Sequence, residues 1–214
     1  MYYDSMENLR TDYFDYYLLH AIGTSGFDGF EDRYVKNGLL DFLLAEREAG
    51  RIRNLGFSFH GRKEAFDQFL ALHDKYHWDF VQIEMNYVDW QHAKVPKNVN
   101  ADYLYEELAK RDIPATIMEP LLGGRLANLP EAVAARLKER EPEMSIASWA
   151  FRFCGSFPDV LTVLSGMSSM DPLVENVETF SHFKPLNDEE IGFLKEMADL
   201  MENYPTVPCT GCTY

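Results

Sequence analysis

The stretch GRIRNLGFSFH, Gly50 to His60, decides the fold. Gly50 stops the helical pattern before it, in which Leu39, Leu40, Leu43 and Leu44 share one face of a helix expected over Val35 to Ala49. Arg51-Ile52-Arg53 opens a short apolar run, Ile52 to Ser58, which leads to the polar side chains of Ser58 and His60. A continuous apolar run bounded by turn residues and preceded by a helix reads as a parallel strand buried on both faces.

The same unit recurs along the chain. Strands are expected at Tyr13 to Leu19, Ile52 to Ser58, Phe80 to Glu84, Ala115 to Met118 and Val160 to Ser165. Between and after them come amphipathic helices at Lys63 to Lys75, Asp102 to Arg111, Pro130 to Glu139, Ser145 to Phe153, Asp171 to Phe180 and Asp188 to Met201. Repeated strand and helix implies right-handed crossovers, hence an open doubly wound sheet or a barrel. Gly23-Thr-Ser-Gly26 followed by Gly29 does not make the Gly-x-Gly-x-x-Gly turn of a dinucleotide-binding doubly wound fold. Polar residues instead follow almost every strand: His20, Ser58 and His60, Gln82 and Glu84, Glu119, and Ser165 to Ser169. Barrels of the (β/α)8 type build their sites from such strand ends. The expected fold is therefore α/β, of the TIM (β/α)8-barrel type but incomplete.

Composition excludes other classes. The 214 residues carry a formal charge of -15, with 20 Lys and Arg against 35 Asp and Glu, which argues against nucleic-acid binding. No apolar run approaches the roughly 18 to 20 residues of a membrane helix. The acidic N-terminus does not look like an export signal, and three cysteines, Cys154, Cys209 and Cys212, fit a reducing cytoplasm.

TDYFDYYLLH at Thr11 to His20 resembles the aldo/keto reductase segment that delivers the active-site histidine. GRIRNLGFSFH is similar to that family's next strand. FVQIEMNYVD at Phe80 to Asp89, IPATIMEPLLGGRLA at Ile113 to Ala127 and VLSGMSSMDPLVENV at Val163 to Val177 follow in the family's order. The resemblance covers about strands four to eight with their helices, over residues 1–204, and implies an oxidoreductase moving hydride between NADP or NAD and a small carbonyl or alcohol. It implies His20 beside the substrate carbonyl and Ser58 and Gln82 on the nicotinamide carboxamide. Met118 either stacks on the nicotinamide ring or is ordinary core. Gly166, Met167 and Ser168 would line the cofactor phosphates, with Glu175 and Asn176 on adenine; the bland reading of this segment is a Ser-capped helix. Glu84 is given a structural role, and His60, His73, His77, His92 and His182 surface or packing roles.

The family's catalytic Asp, Tyr and Lys belong to segments preceding the one that Thr11 to His20 resembles, so the chain alone is expected to be inactive. The alternative is a non-catalytic partial barrel acting as a binding or assembly module. Either way the first and last strands are expected to be open edges that favour self-association. VPCTGCTY at Val207 to Tyr214 resembles the start of a ferredoxin-like Cys run, found in one branch of the family. Residues 205–214 would then begin a truncated segment, with Cys209 and Cys212 as two of the four thiolates of a four-iron four-sulfur cluster in a full-length protein. A redox dithiol or half a zinc site is the other reading of a Cys-x-x-Cys pair.

Overall fold

A computed structural model describes residues 2–93 and 98–203. The chain runs through α1 (Tyr2–Leu9), β1 (Phe14–Ile22), α2 (Gly26–Phe30), a π-helical turn (Glu31–Val35), α3 (Leu39–Glu48) and β2 (Ile52–Phe59). It continues through α4 (Lys63–Ala71), α5 (His73–Tyr76), β3 (Phe80–Glu84), α6 (Asp89–His92), α7 (Ala101–Ala109) and β4 (Ala115–Met118). It closes with α8 (Glu131–Arg140), α9 (Ile146–Gly155), β5 (Val160–Val163), α10 (Met170–Ser181) and α11 (Asp188–Glu202).

The strands form one parallel sheet in the order β1-β2-β3-β4-β5. A doubly wound sheet reverses its strand order at a switch point. Here the order never reverses, so right-handed crossovers put every connecting helix on the same face, as in an arc of a (β/α)8 barrel.

Register then sorts the side chains. Phe57 lies opposite Val81, and Val81 opposite Ala115; all three are buried, as are Ile83 and Ile117 one alternation further on. This face carries the helices. Phe57 meets Trp78 edge-on at 5.2 Å, and Phe30 meets Phe69 likewise at 5.2 Å. The opposite face carries the row Ser58, Gln82, Thr116 and Thr162, each the register partner of the next. Two faces of contrasting polarity follow from the period of two along a strand.

The strand positions agree closely with expectation, with instructive differences at the ends. β1 extends to Ile22, so His20 lies within the paired strand rather than beyond it. α3 begins only at Leu39, because Gly38 at its start is left-handed, with φ of 74°. The expected helix Lys63 to Lys75 is two pieces, α4 and α5, meeting at Leu72. The sequence pattern does not show the short helices α1, α2 and α6, since four to eight residues give too few turns for a periodic signal.

Away from the sheet, the Arg152 guanidinium is 1% exposed between α9 and its neighbours. It pairs with Glu141 and with Glu190 at 3.3 Å, and its Nε donates to the Lys184 carbonyl at 2.8 Å. Glu190 also closes the capping box with Asn187 that starts α11. A buried cation is tolerated only when its donors are satisfied in this way.

At Gly56 the β2 backbone passes so close to β3 that an added Cβ would lie 2.2 Å from the Phe80 carbonyl oxygen. Gly56→Ala is therefore expected to cost about 2 kcal/mol or more, in the range of backbone-strain and overpacking substitutions. Gly192→Ala, on α11 with no atom within 4 Å of the new Cβ, is expected to be neutral or stabilising by up to about 1 kcal/mol. Urea denaturation of the two variants tests the assignment; equal midpoints would refute it.

Candidate functional site

The polar row faces away from the helices, and two of its side chains, Ser58 and Gln82, bond to the neighbouring strands β1 and β4. Ser58, 1% exposed, accepts a 2.8 Å hydrogen bond at Oγ from the Ala21 N–H. Ala21 is left-handed, with φ of 53°, an unusual conformation for a residue with a Cβ. The bond from Ala21 to Ser58 therefore fixes the backbone next to His20, where the register of β1 shifts. Tyr34 holds the same segment from the helix side, donating to the His20 carbonyl at 2.9 Å; burial pushes the pKa of that phenol up. The His20 side chain itself is exposed.

Gln82 Nε2 donates to Met118 Sδ at 3.3 Å. Its Oε1 is left as an acceptor, and the Ser58 hydroxyl, already accepting from Ala21, retains a proton to donate. An amide ligand needs that combination. Thr116 Oγ1, between Gln82 and Thr162 in the row, is buried without a hydrogen-bond partner.

Beyond β4 and β5 the surface opens into a cavity of about 850 Å³. Of the sequence-nominated residues, Met118, Gly166, Met167, Ser168, Glu175 and Asn176 all line it, together with Glu119, Ser165 and the Gly123-Gly124 turn. Asn176 donates to Ser165 Oγ at 3.1 Å. Ser169, the cap of α10, makes no side-chain bond to the helix, so the N–H groups at this twelve-residue helix's N-terminus are not met by a serine cap. Glu119 is left-handed, with φ of 55°, and its Oε2 accepts from the Gly123 N–H at 2.5 Å. Ser58 and Gln82 reach this cavity only through the contact between Gln82 and Met118, and His20 stands at the far end of the row, on β1.

A second group of side chains follows the row at the strand ends. His60 Nδ1 lies 3.0 Å from Glu84 Oε1, and Asn98 Nδ2 donates to Glu84 Oε2 at 2.6 Å. The Glu84 hydrogen bond, then its charge and that of Glu119, hold the His60 ring above its ordinary pKa against the opposing effect of burial. The pair thus adds stability that is complete below the ring's unfolded pKa and is lost as pH rises through the higher folded value. Asp89 is buried beside Asn86, and its carboxyl is pushed up, mainly by burial. Glu84, expected to be structural, and His60, expected at a surface or packing position, meet in this pair. The signal was available: each lies two residues past a row member, Ser58 or Gln82, and so on the same face.

The other imidazoles keep to packing and surface positions. His92 pairs with Asp199 at 2.9 Å, His182 with Glu178 at 3.7 Å, and His73 and His77 lie ring to ring at 6.2 Å. Cys154 is buried, donates its thiol to the Met85 carbonyl at 3.2 Å, and is held protonated by burial. Cys209 and Cys212 lie outside the described residues. Among the described residues no group of three or more His, Cys, Asp or Glu side chains could hold a metal ion, and no helix is long and apolar enough to cross a membrane.

A family model described as the aldo/keto reductase family matches residues 3–199. Among solved structures, the chain is similar to an aldo-keto reductase from Klebsiella pneumoniae in complex with NADPH, at 19% identity and a TM-score of 0.66. The match covers 92% of this chain and 62% of that one. An aldo/keto reductase from Brucella melitensis aligns at 20% identity and a TM-score of 0.63, over 92% of this chain and 65% of that one. A thermostable aldo-keto reductase in complex with the inhibitor epalrestat aligns at 19% identity and 0.66, over 91% and 64%. The chain therefore spans less than two thirds of the length of these three structures. A search of curated proteins gives no match.

The bond from Ala21 to Ser58 generates a direct test. Ser58→Ala leaves a part-buried N–H without its acceptor, at a cost of about 1 kcal/mol or more. Chemical denaturation should register that loss; a variant within about 0.5 kcal/mol of wild type would show that the hydroxyl does not hold the strand end.

Proposed function

The chain belongs to the aldo/keto reductase family, and from that premise we propose that it binds a nicotinamide dinucleotide, NADP or NAD, along the polar row and the adjoining cavity, in the service of hydride transfer to or from a small carbonyl or alcohol. The observation that carries this reading is the convergence of Met118, Gly166, Met167, Ser168, Glu175 and Asn176 on one cavity, with Gln82 joined to it through Met118. The complex with NADPH among the similar structures supports the choice of ligand.

The residues present suit such a group. The Ser58 hydroxyl has a proton to donate and Gln82 Oε1 can accept, which matches the two ends of a carboxamide. The N-terminus of α10 and the hydroxyls of Ser165 and Ser168 suit phosphate oxygens. Glu175 and Asn176, one turn into the helix, would meet the adenine end. When bound, the cofactor supplies or takes the hydride. The protein's share is to orient the ring against Met118, to present the exposed His20 imidazole to the substrate oxygen, and to hold both by the bond from Ala21 to Ser58.

The family's Asp, Tyr and Lys have no counterpart among the motifs matched here, so turnover at an enzymatic rate is not expected of these 214 residues alone. A general acid contributes about 10²- to 10⁴-fold. In the branch that the C-terminal motif resembles, Cys209 and Cys212 would be the first two ligands of a four-iron four-sulfur cluster, and no step of the reaction is routed through it. The acidic, cysteine-poor composition suits a cytoplasmic setting.

A second reading, a partial barrel acting as an assembly module, draws on the sheet edges. Among the described residues β1 pairs only with β2, and β5 only with β4. Tyr16 on β1, Leu161 on β5 and Val174 and Val177 on α10 are 54%, 47%, 58% and 55% exposed. Apolar surface of this kind beside an open edge favours association.

Two measurements address these readings. Fluorescence titration with NADPH and NADH should give saturable binding, weakened at least tenfold by Gln82→Ala; a folded chain that binds neither nucleotide would sink the proposed function. Light scattering should show concentration-dependent association, reduced in the Leu161→Lys, Val174→Glu double variant. A well-behaved wild-type monomer with a sharp thermal transition would remove the assembly reading.

A further inference from the structure

A dinucleotide laid out as proposed puts its pyrophosphate at the start of α10 and its adenine at Glu175 and Asn176. The ribose that joins them then lies over the stretch of lining between, at Met167, Ser168 and Pro172. NAD and NADP differ only at the 2′ oxygen of that ribose. NAD carries a neutral hydroxyl there, whereas NADP carries a phosphate with a charge of about −1.5 to −2 at pH 7 and three acceptor oxygens. The charge that faces this one oxygen decides which of the two a site prefers.

In this cavity that charge is negative. Among the described residues its charged lining side chains are two carboxylates, Glu119 and Glu175. Helix α10 adds Asp171 in its first turn and Glu178 further along, and its sequence holds no Lys, Arg or His. Pro172, Glu175 and Asn176 recur at the three- and four-residue spacing of one helix face, so Glu175 lies on the side that lines the cavity. Nearby cations are engaged elsewhere: Lys184 pairs with Glu141 at 3.0 Å and Arg152 with Glu190 at 3.3 Å. Arg125, next to Gly124, lies outside the lining and acts on Asp89. A pyrophosphate can still be held, by the N–H groups that open α10 and by Ser165, whose Oγ accepts from Asn176 and keeps its proton to donate. A second phosphate at the ribose meets a thioether, a proline ring and a carboxylate.

We propose that this cavity selects NAD over NADP, and that Glu175 and Gly166 set the preference. The inference rests on the nicotinamide reading above and deepens it by naming the cofactor. Glu175 acts by its charge: like charges repel, so it opposes a 2′-phosphate and leaves a neutral hydroxyl unopposed. Gly166 acts by what it leaves open. It lines the cavity beside the start of α10, and an added Cβ there meets no atom within 4 Å, so the position has room for a cation that the sequence does not supply.

The test is the ratio of the Kd for NADPH to the Kd for NADH, measured by fluorescence titration on the 214-residue chain and on Glu175→Gln and Gly166→Lys, each checked for folding by its thermal transition. Because the two nucleotides share every other group, the ratio isolates the 2′ oxygen. Wild type should bind NADH at least tenfold more tightly. The ratio should narrow in Glu175→Gln and narrow further in Gly166→Lys, through tighter NADPH binding. It should also shrink with added salt, since the screening length falls from about 10 Å at 0.1 M to about 3 Å at 1 M. A wild-type ratio below tenfold, or one unchanged in Gly166→Lys, would overturn the proposal. Binding of neither nucleotide would overturn instead the reading beneath it. Should Gly166→Lys not fold, the ratio in Glu175→Gln decides.

Discussion

Backbone hydrogen bonds between parallel strands set Gly56 opposite Phe80 and Ser58 opposite Gln82, and every later feature inherits that alignment. Side chains alternate along a strand, so a slip of one residue would turn Phe57, Val81 and Ile83 away from the helices and point Ser58 and Gln82 into the apolar layer beneath them. Burial of the aromatic cluster around Phe57 and Phe69 opposes such a slip strongly, because each large side chain returned to water costs about 1.5 to 3 kcal/mol. Gly56 is the local condition for this register, since a larger residue would collide with the Phe80 carbonyl. The polar row is thus a consequence of hydrophobic packing on the opposite face.

At the strand ends that same register meets unfavourable backbone conformations. Ala21 and Glu119 are both left-handed, and both are held by a side chain or N–H from the next segment, Ser58 in one case and Gly123 in the other. Strained residues of this kind persist where neighbouring contacts over-determine them. Here Ala21 sits where the register of β1 shifts and Glu119 turns the chain out of β4, and so they shape the two ends of the row. The titratable groups near the strand ends, His60, Glu84, Glu119 and Asp89, act on one another, and burial works against charge on His60 and Asp89. Low local dielectric makes such groups responsive to a single added or removed proton.

The sheet's two margins show the opposite balance. Its centre is buried on the helix face and satisfied in its backbone, whereas β1 and β5 leave one edge each unpaired within the described residues. Leu161, Met170, Val174 and Val177 stay exposed next to β5, although the amphipathic pattern of α10 would place an apolar stripe against protein. A closed ring would pair both edges. An arc of five strands has a stable middle and adhesive ends.

Element type and order were legible in the amino-acid sequence, because short apolar runs such as Phe80 to Glu84 and Ala115 to Met118 and helices with a leucine stripe are local patterns. So was the set of strand-end polar residues, through period-two spacing and the family resemblance. The short helices α1, α2 and α6 were not, having too few turns to show a period. Nor was the company each polar residue keeps. Sequence spacing put His60 past Ser58 and Glu84 past Gln82, but that the two meet at 3.0 Å, that Gln82 touches Met118, and that Ser58 holds Ala21 depend on the order and register of separate strands. Those are properties of long-range backbone pairing, which no local stretch of residues encodes, and only the tertiary structure decided them.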